Sequence, residues 1–262
     1  MYRFASFALA VSLTACGGAT DGSRLEVTLT DFSFKMRATT TPGPVLVEAV
    51  NRGETMHEIR VFALEGSKGL ADAQAYFEDG GGSPADWMKP IAEMSIINPG
   101  IRSGFVADLS DPGTYLFACT FPDSEFTLHA ARGMLATLEV DGQPSGRVAP
   151  EPQTTIRIGE SAPTVPELTS GRRLVAFQNM TAVPADVSIM SSNEAAIDEF
   201  EDWVGNGQVG DPPLTTYGGG SVPPGQIRIF EVDLPPGQYR LLTTLRHSSD
   251  DLEDRFTELT VI

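Results

Sequence analysis

The sequence predicts an all-β protein made of two Greek-key sandwiches in tandem, each with a short helical insertion. Three observations carry this. Apolar runs of strand length recur between Gly/Pro turns, a Pro- and Gly-rich stretch divides the chain near its middle, and the residues after that stretch repeat the pattern of those before it.

In the first half the strand-length runs are Arg24–Thr30, Val45–Val50, Glu58–Leu64, Thr114–Cys119 and Met134–Val140. Residues Leu70–Phe77 read as a helix between strands, ended by Gly80-Gly81-Gly82. Asp141–Pro152 is rich in Pro, Gly and polar residues and reads as a linker. The expected organisation is a first domain over 24–141, a linker over 142–153 and a second domain over 154–262.

The repeat is explicit in the residues. Gly43–Asn51 (GPVLVEAVN) returns as Gly171–Asn179 (GRRLVAFQN), 128 positions on from 43 to 171. Pro99-Gly100 and Phe105–Asp108 match Pro224-Gly225 and Phe230–Asp233, and Pro112-Gly113-Thr114-Tyr115 matches Pro236-Gly237-Gln238-Tyr239. The helix returns as well: Ser191 with Glu194 forms a capping box, and Ile197, Phe200 and Val204 fall on one face. Any single match is commonplace between β domains. Several in one order point to two copies of one plan, about seven strands each, which suits a Greek-key sandwich.

The N-terminus sets the expected compartment. Arg3 precedes an apolar run, Phe4–Leu13, that is too short to span a bilayer as a permanent helix. Leu13-Thr14-Ala15-Cys16-Gly17-Gly18 resembles a lipobox. That resemblance implies that residues 1–15 are removed as a lipoprotein signal peptide, that Cys16 carries the lipid, and that 16–23 form a tether. The chain is then expected at the bacterial cell envelope, lipid-anchored on a periplasmic or extracellular face; an ordinary cleaved signal peptide is the alternative. Basic residues number 18 against 35 acidic ones, and the leader contains one of the former and none of the latter. Such a surface repels nucleic acid and anionic headgroups, so nucleic acid is excluded as a partner and membrane contact falls to the lipid.

Cys119 is the one cysteine left to the folded part. A lone thiol cannot staple a domain, and a free one in an oxidising compartment invites a chemical explanation. It closes a strand entered through Asp111-Pro112-Gly113-Thr114-Tyr115; His129 and Gly133-Met134 come next, before the last strand of the copy, and His57 opens an earlier strand after Asn51-Arg52-Gly53. This arrangement resembles the cupredoxin, or blue-copper, family over most of residues 25–140. The resemblance implies one type 1 copper site with ligands His57, Cys119, His129 and Met134, and it implies that His129 presents an exposed imidazole edge while His57 and Cys119 are buried. The chemistry suits those residue types: soft thiolate and thioether donors hold Cu(I), imidazoles keep Cu(II) acceptable, and a trigonal His2Cys set with a weak axial Met serves both states.

Two features depart from the family. Nine residues, Thr120–Leu128, separate Cys119 from His129 where the family has a handful, at a closure cost of only about 0.6 kcal/mol per doubling of loop length. Glu58 comes after the first histidine where an amide side chain is common, and an inward charge there would oppose a Cu(I) site. The second copy is a degenerate cupredoxin-like domain without ligands: Ala185 stands for His57 and Thr243 for Cys119, leaving His247 alone.

Copper binding with one-electron transfer is therefore the leading expectation, with a redox protein or membrane-associated protein as partner and a basic one as the complement to this surface. The alternative is a non-redox binding or assembly lipoprotein that keeps the scaffold without metal; convergence or dispersal of the four side chains discriminates the two. An enzyme is not expected. Multicopper oxidases and copper nitrite reductases need histidines beyond the blue site, which His247 alone does not supply, and no Gly-x-Ser-x-Gly elbow is present.

Overall fold

A computed structural model describes residues 24–191, 199–200, 202–203, 205–207, 212–248 and 251–262. The leader, Cys16 and the tether lie outside the described residues. The first half contains β1 (Arg24–Thr30), β2 (Ser33–Lys35), β3 (Thr39–Thr40), β4 (Gly43–Asn51), β5 (His57–Leu64), α1 (Leu70–Glu78), β6 (Met88–Ile97), β7 (Arg102–Leu109), β8 (Gly113–Ala118) and β9 (Leu135–Val140). The second contains β10 (Thr154–Ile158), β11 (Gly171–Asn179), β12 (Ala185–Ser191), β13 (Thr216–Val222), β14 (Ile227–Leu234), β15 (Gly237–Arg246) and β16 (Leu252–Val261). The protein is all-β, as its pattern predicts.

The strands form two sheets that run through both halves. One has the order β10-β11-β14-β7-β4-β1-β2, the other β16-β15-β12-β13-β6-β5-β8-β9-β3. The halves therefore join edge to edge, β7 against β14 and β6 against β13, and no edge strand is left bare at the seam. The β7–β14 register places Phe105 opposite Phe230, its own counterpart in the repeat. An antiparallel pairing of equivalent residues is the signature of an isologous contact, so the copies meet about a local twofold axis.

Alternation explains the layers. In β4 and β11 the apolar residues Val45, Val47, Ala49, Val175 and Phe177 are buried in one core that continues across the seam through Phe105 and Phe230. On the outer face of the nine-stranded sheet, α1 covers a second cluster in which Phe77 and Ala73 meet Phe62, Leu116 and Ala118. Helix α1 ends at Asp79, whose N–H and that of Gly80 return to Ala75 and Phe77 carbonyls; Gly80 has φ 89°, which glycine adopts without a Cβ penalty.

Details of the repeat recur as hydrogen bonds. Asn51 Nδ2 donates to the carbonyls of Thr55 and Ile97, and Asn179 Nδ2 to those of Val183 and Val222. Tyr115 Oη donates to Asp111 O and Tyr239 Oη to Pro235 O, both at 2.8 Å. The second helix is only partly visible: Glu194, Ile197 and Val204 lie outside the described residues, while Phe200 packs against Met190 and Leu214. Ser191, read as the cap of that helix, ends β12, and its Oγ accepts the Thr215 N–H. Ser191 stands opposite Tyr239 of β15, and its capping box with Glu194 lies outside the described residues.

Candidate metal centre

At one pole of the first sandwich three side chains far apart in sequence meet. His57, the first residue of β5, Cys119, just past β8, and His129 offer ligand atoms that all lie within 4.8 Å of one another, and all three residues are fully buried. His57 Nδ1 is 3.1 Å from His129 Nδ1, and Cys119 Sγ is 3.5 Å from His129 Nδ1 and 4.0 Å from His57 Nδ1. Bonds of about 2.0 Å to nitrogen and about 2.3 Å to sulfur at trigonal angles separate donors by about 3.5 to 3.7 Å. The donor set thus has the spacing of one three-coordinate ion, with soft and imidazole donors that suit copper.

Met134 is the fourth expected residue. Its side chain is fully buried in the same core cluster as Cys119, and its backbone closes the pole: Cys119 N–H donates to Met134 O, and Met134 N–H donates to His129 O.

The long loop is folded back on itself. Pro122 bridges to Leu128, Asp123 N–H bonds Thr127 O, and the Asp123 carboxylate accepts the Glu125 and Thr127 N–H groups and the Arg132 guanidinium. His129 N–H then bonds Phe121 O and Ala130 N–H bonds Cys119 O. The extra residues form a tight excursion that leaves and re-enters the pole at adjacent points. His129 is returned beside Cys119 whatever the length outside.

Burial dominates the electrostatics. It pushes the Cys119 thiol well up, assisted by the Glu58 charge and opposed by backbone N–H groups of Glu58 and Phe121. The Glu58 N–H lies 3.4 Å from Sγ. The Glu58 carboxylate is turned to Thr120, accepting its N–H and hydroxyl, and to the Arg60 guanidinium. Its charge therefore anchors the start of the loop and does not point at the three donors. Burial also lowers His57, against the pull of Asp31, and lowers His129 to about 4, with His57 adding to the effect. Both shifts favour the neutral imidazole, the state in which a ring nitrogen can ligate.

One expectation fails. His129 does not present an exposed edge: Phe32, in the turn between β1 and β2, stands edge-on to its ring at a centroid distance of 5.1 Å, and Phe121 flanks it at 6.0 Å. His129 Nε2 is buried without a hydrogen-bond partner among the described residues. The β1–β2 hairpin folds over the pole, and nothing local in a strand-turn-strand pattern announces which way such a turn leans. Asp31, in the same turn, was also missed. Its carboxylate oxygen lies 3.2 Å from His57 Nε2, but Asp in a hairpin turn is so ordinary that its type carries no signal.

The second half is an internal control. Ala118 pairs with Arg60 as Leu242 pairs with Ser188, so the residue after each, Cys119 and Thr243, is equivalent. Thr243 is fully buried and its Oγ1 has no partner among the described residues. Thr243→Val should therefore leave stability unchanged or raise it by up to about 1 kcal/mol, measured by denaturant unfolding. A loss of that size would mean that the hydroxyl is bonded.

No family model matches the chain, and no curated protein matches it. Among solved structures it is similar to dithionite-reduced auracyanin from Roseiflexus castenholzii, 21% identical over 46% of this chain and 98% of that one, with a TM-score of 0.34. Auracyanin A of Chloroflexus aurantiacus, titled a "blue" copper protein, is 21% identical over 44% of this chain and 99% of its own, with a TM-score of 0.31. A multicopper oxidase is 16% identical over 90% of this chain and 88% of its own, with a TM-score of 0.27. The site stands on its own geometry and not on these likenesses.

Proposed function

We propose that the chain is a copper-binding, one-electron carrier with a single type 1 site, held at the extracytoplasmic face of a bacterial membrane through a lipid on Cys16. The observation that carries the reading is the convergence of His57, Cys119 and His129, both Nδ1 atoms turned to one sulfur, inside a pole from which solvent is excluded.

Copper bound there supplies a Cu(II)/Cu(I) couple. The residues do the rest. Cys119 serves as thiolate, its charge met by the Glu58 and Phe121 N–H groups. His57 and His129 would supply the imidazoles, and Met134, buried in the same core cluster as Cys119, would supply a thioether. The hydrogen-bonded loop and strand ends hold these donors and would keep rearrangement between copper oxidation states small. Because Phe32 covers His129, the electron route to a partner passes its ring. The acidic surface suits a basic redox partner, so exchange with one should slow as salt is raised.

His247, the third histidine, sits at the exposed end of β15, 3.4 Å from Glu253, and joins no metal group among the described residues. A carrier fits this histidine count better than an oxidase. Among the described residues no helix is long and apolar enough to cross a membrane.

The test is to load the chain lacking residues 1–15 with Cu(II). An intense visible thiolate band is expected, with complete loss in Cys119→Ser. A protein that stays colourless and copper-free rejects the carrier and leaves the non-redox module.

A further inference from the structure

We propose that Asp31 is a positioning residue for His57: its carboxylate holds the ring in the one tautomer and orientation that ligates, and its charge favours Cu(II) over Cu(I). The proposal rests on the copper reading above for its redox half and on geometry alone for its tautomer half.

Asp31 occupies the turn after β1. Its Oδ1 lies 3.2 Å from His57 Nε2, and the carboxylate is itself pinned by the Glu54 N–H at 3.0 and 3.1 Å, the Thr55 N–H at 3.3 Å and the Thr55 hydroxyl at 3.2 Å. An ionised carboxylate only accepts, so the proton of neutral His57 resides on Nε2. The lone pair is thereby left on Nδ1, the atom that faces Cys119 Sγ and His129 Nδ1. A carboxylate bonded to the far nitrogen of a ligating imidazole also raises its basicity, which stabilises the more charged metal state.

Gly53 shows how closely this contact is built. A Cβ there would stand 2.4 Å from Asp31 Oδ1 and 2.8 Å from His57 Nε2, nearer than any real contact. Gly53 is fixed in that place because its N–H donates to Asn51 Oδ1 at 2.9 Å. Asn51, Gly53, Asp31 and His57 thus form one chain of contacts, from a buried strand end to the ring.

The second half keeps the turn-building asparagine but lacks the glycine, the contacting carboxylate and the histidine. Asn179 builds the same turn, with the Thr181 N–H on its Oδ1 at 2.9 Å, so Thr181 stands where Gly53 does. Leu29 pairs with Asn51 and Ile158 with Asn179, which makes Glu160 the counterpart of Asp31; Glu160 is exposed. Ala185 stands for His57. A side chain is tolerated at position 181 because there is no histidine–carboxylate contact to displace.

Three variants test this: Asp31→Asn, which keeps an acceptor oxygen and removes the charge, Asp31→Ala, and Gly53→Ala. In copper-free wild-type protein, nitrogen-15 NMR should show His57 as the Nε2–H tautomer. Asp31→Ala and Gly53→Ala should give a mixture. With copper, Asp31→Ala should lower Cu(II) affinity about 10- to 100-fold, by competition with a chelator of known affinity. Asp31→Asn should keep the tautomer and the visible band yet raise the reduction potential, by about 59 mV for each tenfold loss confined to Cu(II). An unchanged tautomer in Asp31→Ala overturns the positioning role, and an unchanged potential in Asp31→Asn overturns the charge role. A wild-type protein that takes up no copper refutes the copper reading instead, and with it the redox half, while the NMR result still decides the tautomer half.

Discussion

Gly219→Ala should destabilise the protein by about 4 kcal/mol, the sum of backbone strain and overpacking at one site. Strand β13 carries Gly218, Gly219 and Gly220 in succession, with φ of 107°, 137° and 153°. A Cβ on Gly219 would lie 2.1 Å from the Val187 carbonyl oxygen and 3.1 Å from Ser188 Cα, all backbone of β12. That backbone cannot retreat, because Val187 and Ser188 are paired with Gly220 and Gly219 and, on the other side, with Thr243 and Leu242. The close approach also lies next to the seam, where Tyr217 pairs with Ile97 of the first half. Gly225→Ala is the control: φ there is 70°, but nothing lies within 4 Å, so only the left-handed strain of about 1 kcal/mol applies. Denaturant unfolding of both variants separates the two contributions. Equal losses would show that β12 and β13 are not packed as described.

Arg172→Ala should cost about 3 kcal/mol at neutral pH, because it strands the buried Glu231 carboxylate and leaves Glu48 with Arg24 alone. The Arg172 guanidinium bonds Glu48 and reaches both Glu231 oxygens, at 2.7 and 2.9 Å. Glu48 belongs to the first half and Glu231 to the second, and both are 5% exposed. Without Arg172 the cluster retains only Arg24, 2.5 Å from Glu48 and half exposed. The loss should depend on pH in a definite direction. Burial raises the Glu231 carboxyl above its ordinary value, with Arg172 pulling it down. A raised acid binds its proton more tightly when folded, so it favours the folded state at low pH and loses that contribution as pH rises through the folded value. Removing Arg172 raises Glu231 further. The deficit against wild type should be largest near neutral pH and shrink as the pH falls and Glu231 takes up its proton in both proteins. A deficit that is flat with pH would mean that the loss is one of packing around the Arg172 stem.

Much of the first copy was legible because its signals are local. The runs Arg24–Thr30 and Val45–Val50 alternate or stay apolar over strand lengths, and Gly/Pro turns bound them; β1 and β4 match them to within two residues. The helix over Leu70–Phe77 extends by one residue, to Glu78. His57, Cys119 and His129 stand out by the family resemblance and by scarcity together, since a chain with three histidines and one folded cysteine offers few other combinations. What scarcity could not supply was the surroundings. Phe32 and Asp31 are ordinary turn residues whose role exists only because the β1–β2 hairpin leans over the pole, and the compact loop Thr120–Leu128 depends on the Asp123 side chain finding three partners.

By itself, then, the sequence determined the all-β class, several of the strands and the repeated pattern, since each is written in residue type and short-range period. The joining of the copies belongs to tertiary structure. Phe105 faces Phe230, and Glu48 shares Arg172 with Glu231, across separations of more than a hundred residues, where pairing is decided by which edges and buried charges can satisfy one another. Tertiary structure likewise decided the sealing of His129 and the hold on His57. Both come from elements that fold back over the site, and residue type along one strand does not encode what lies above it.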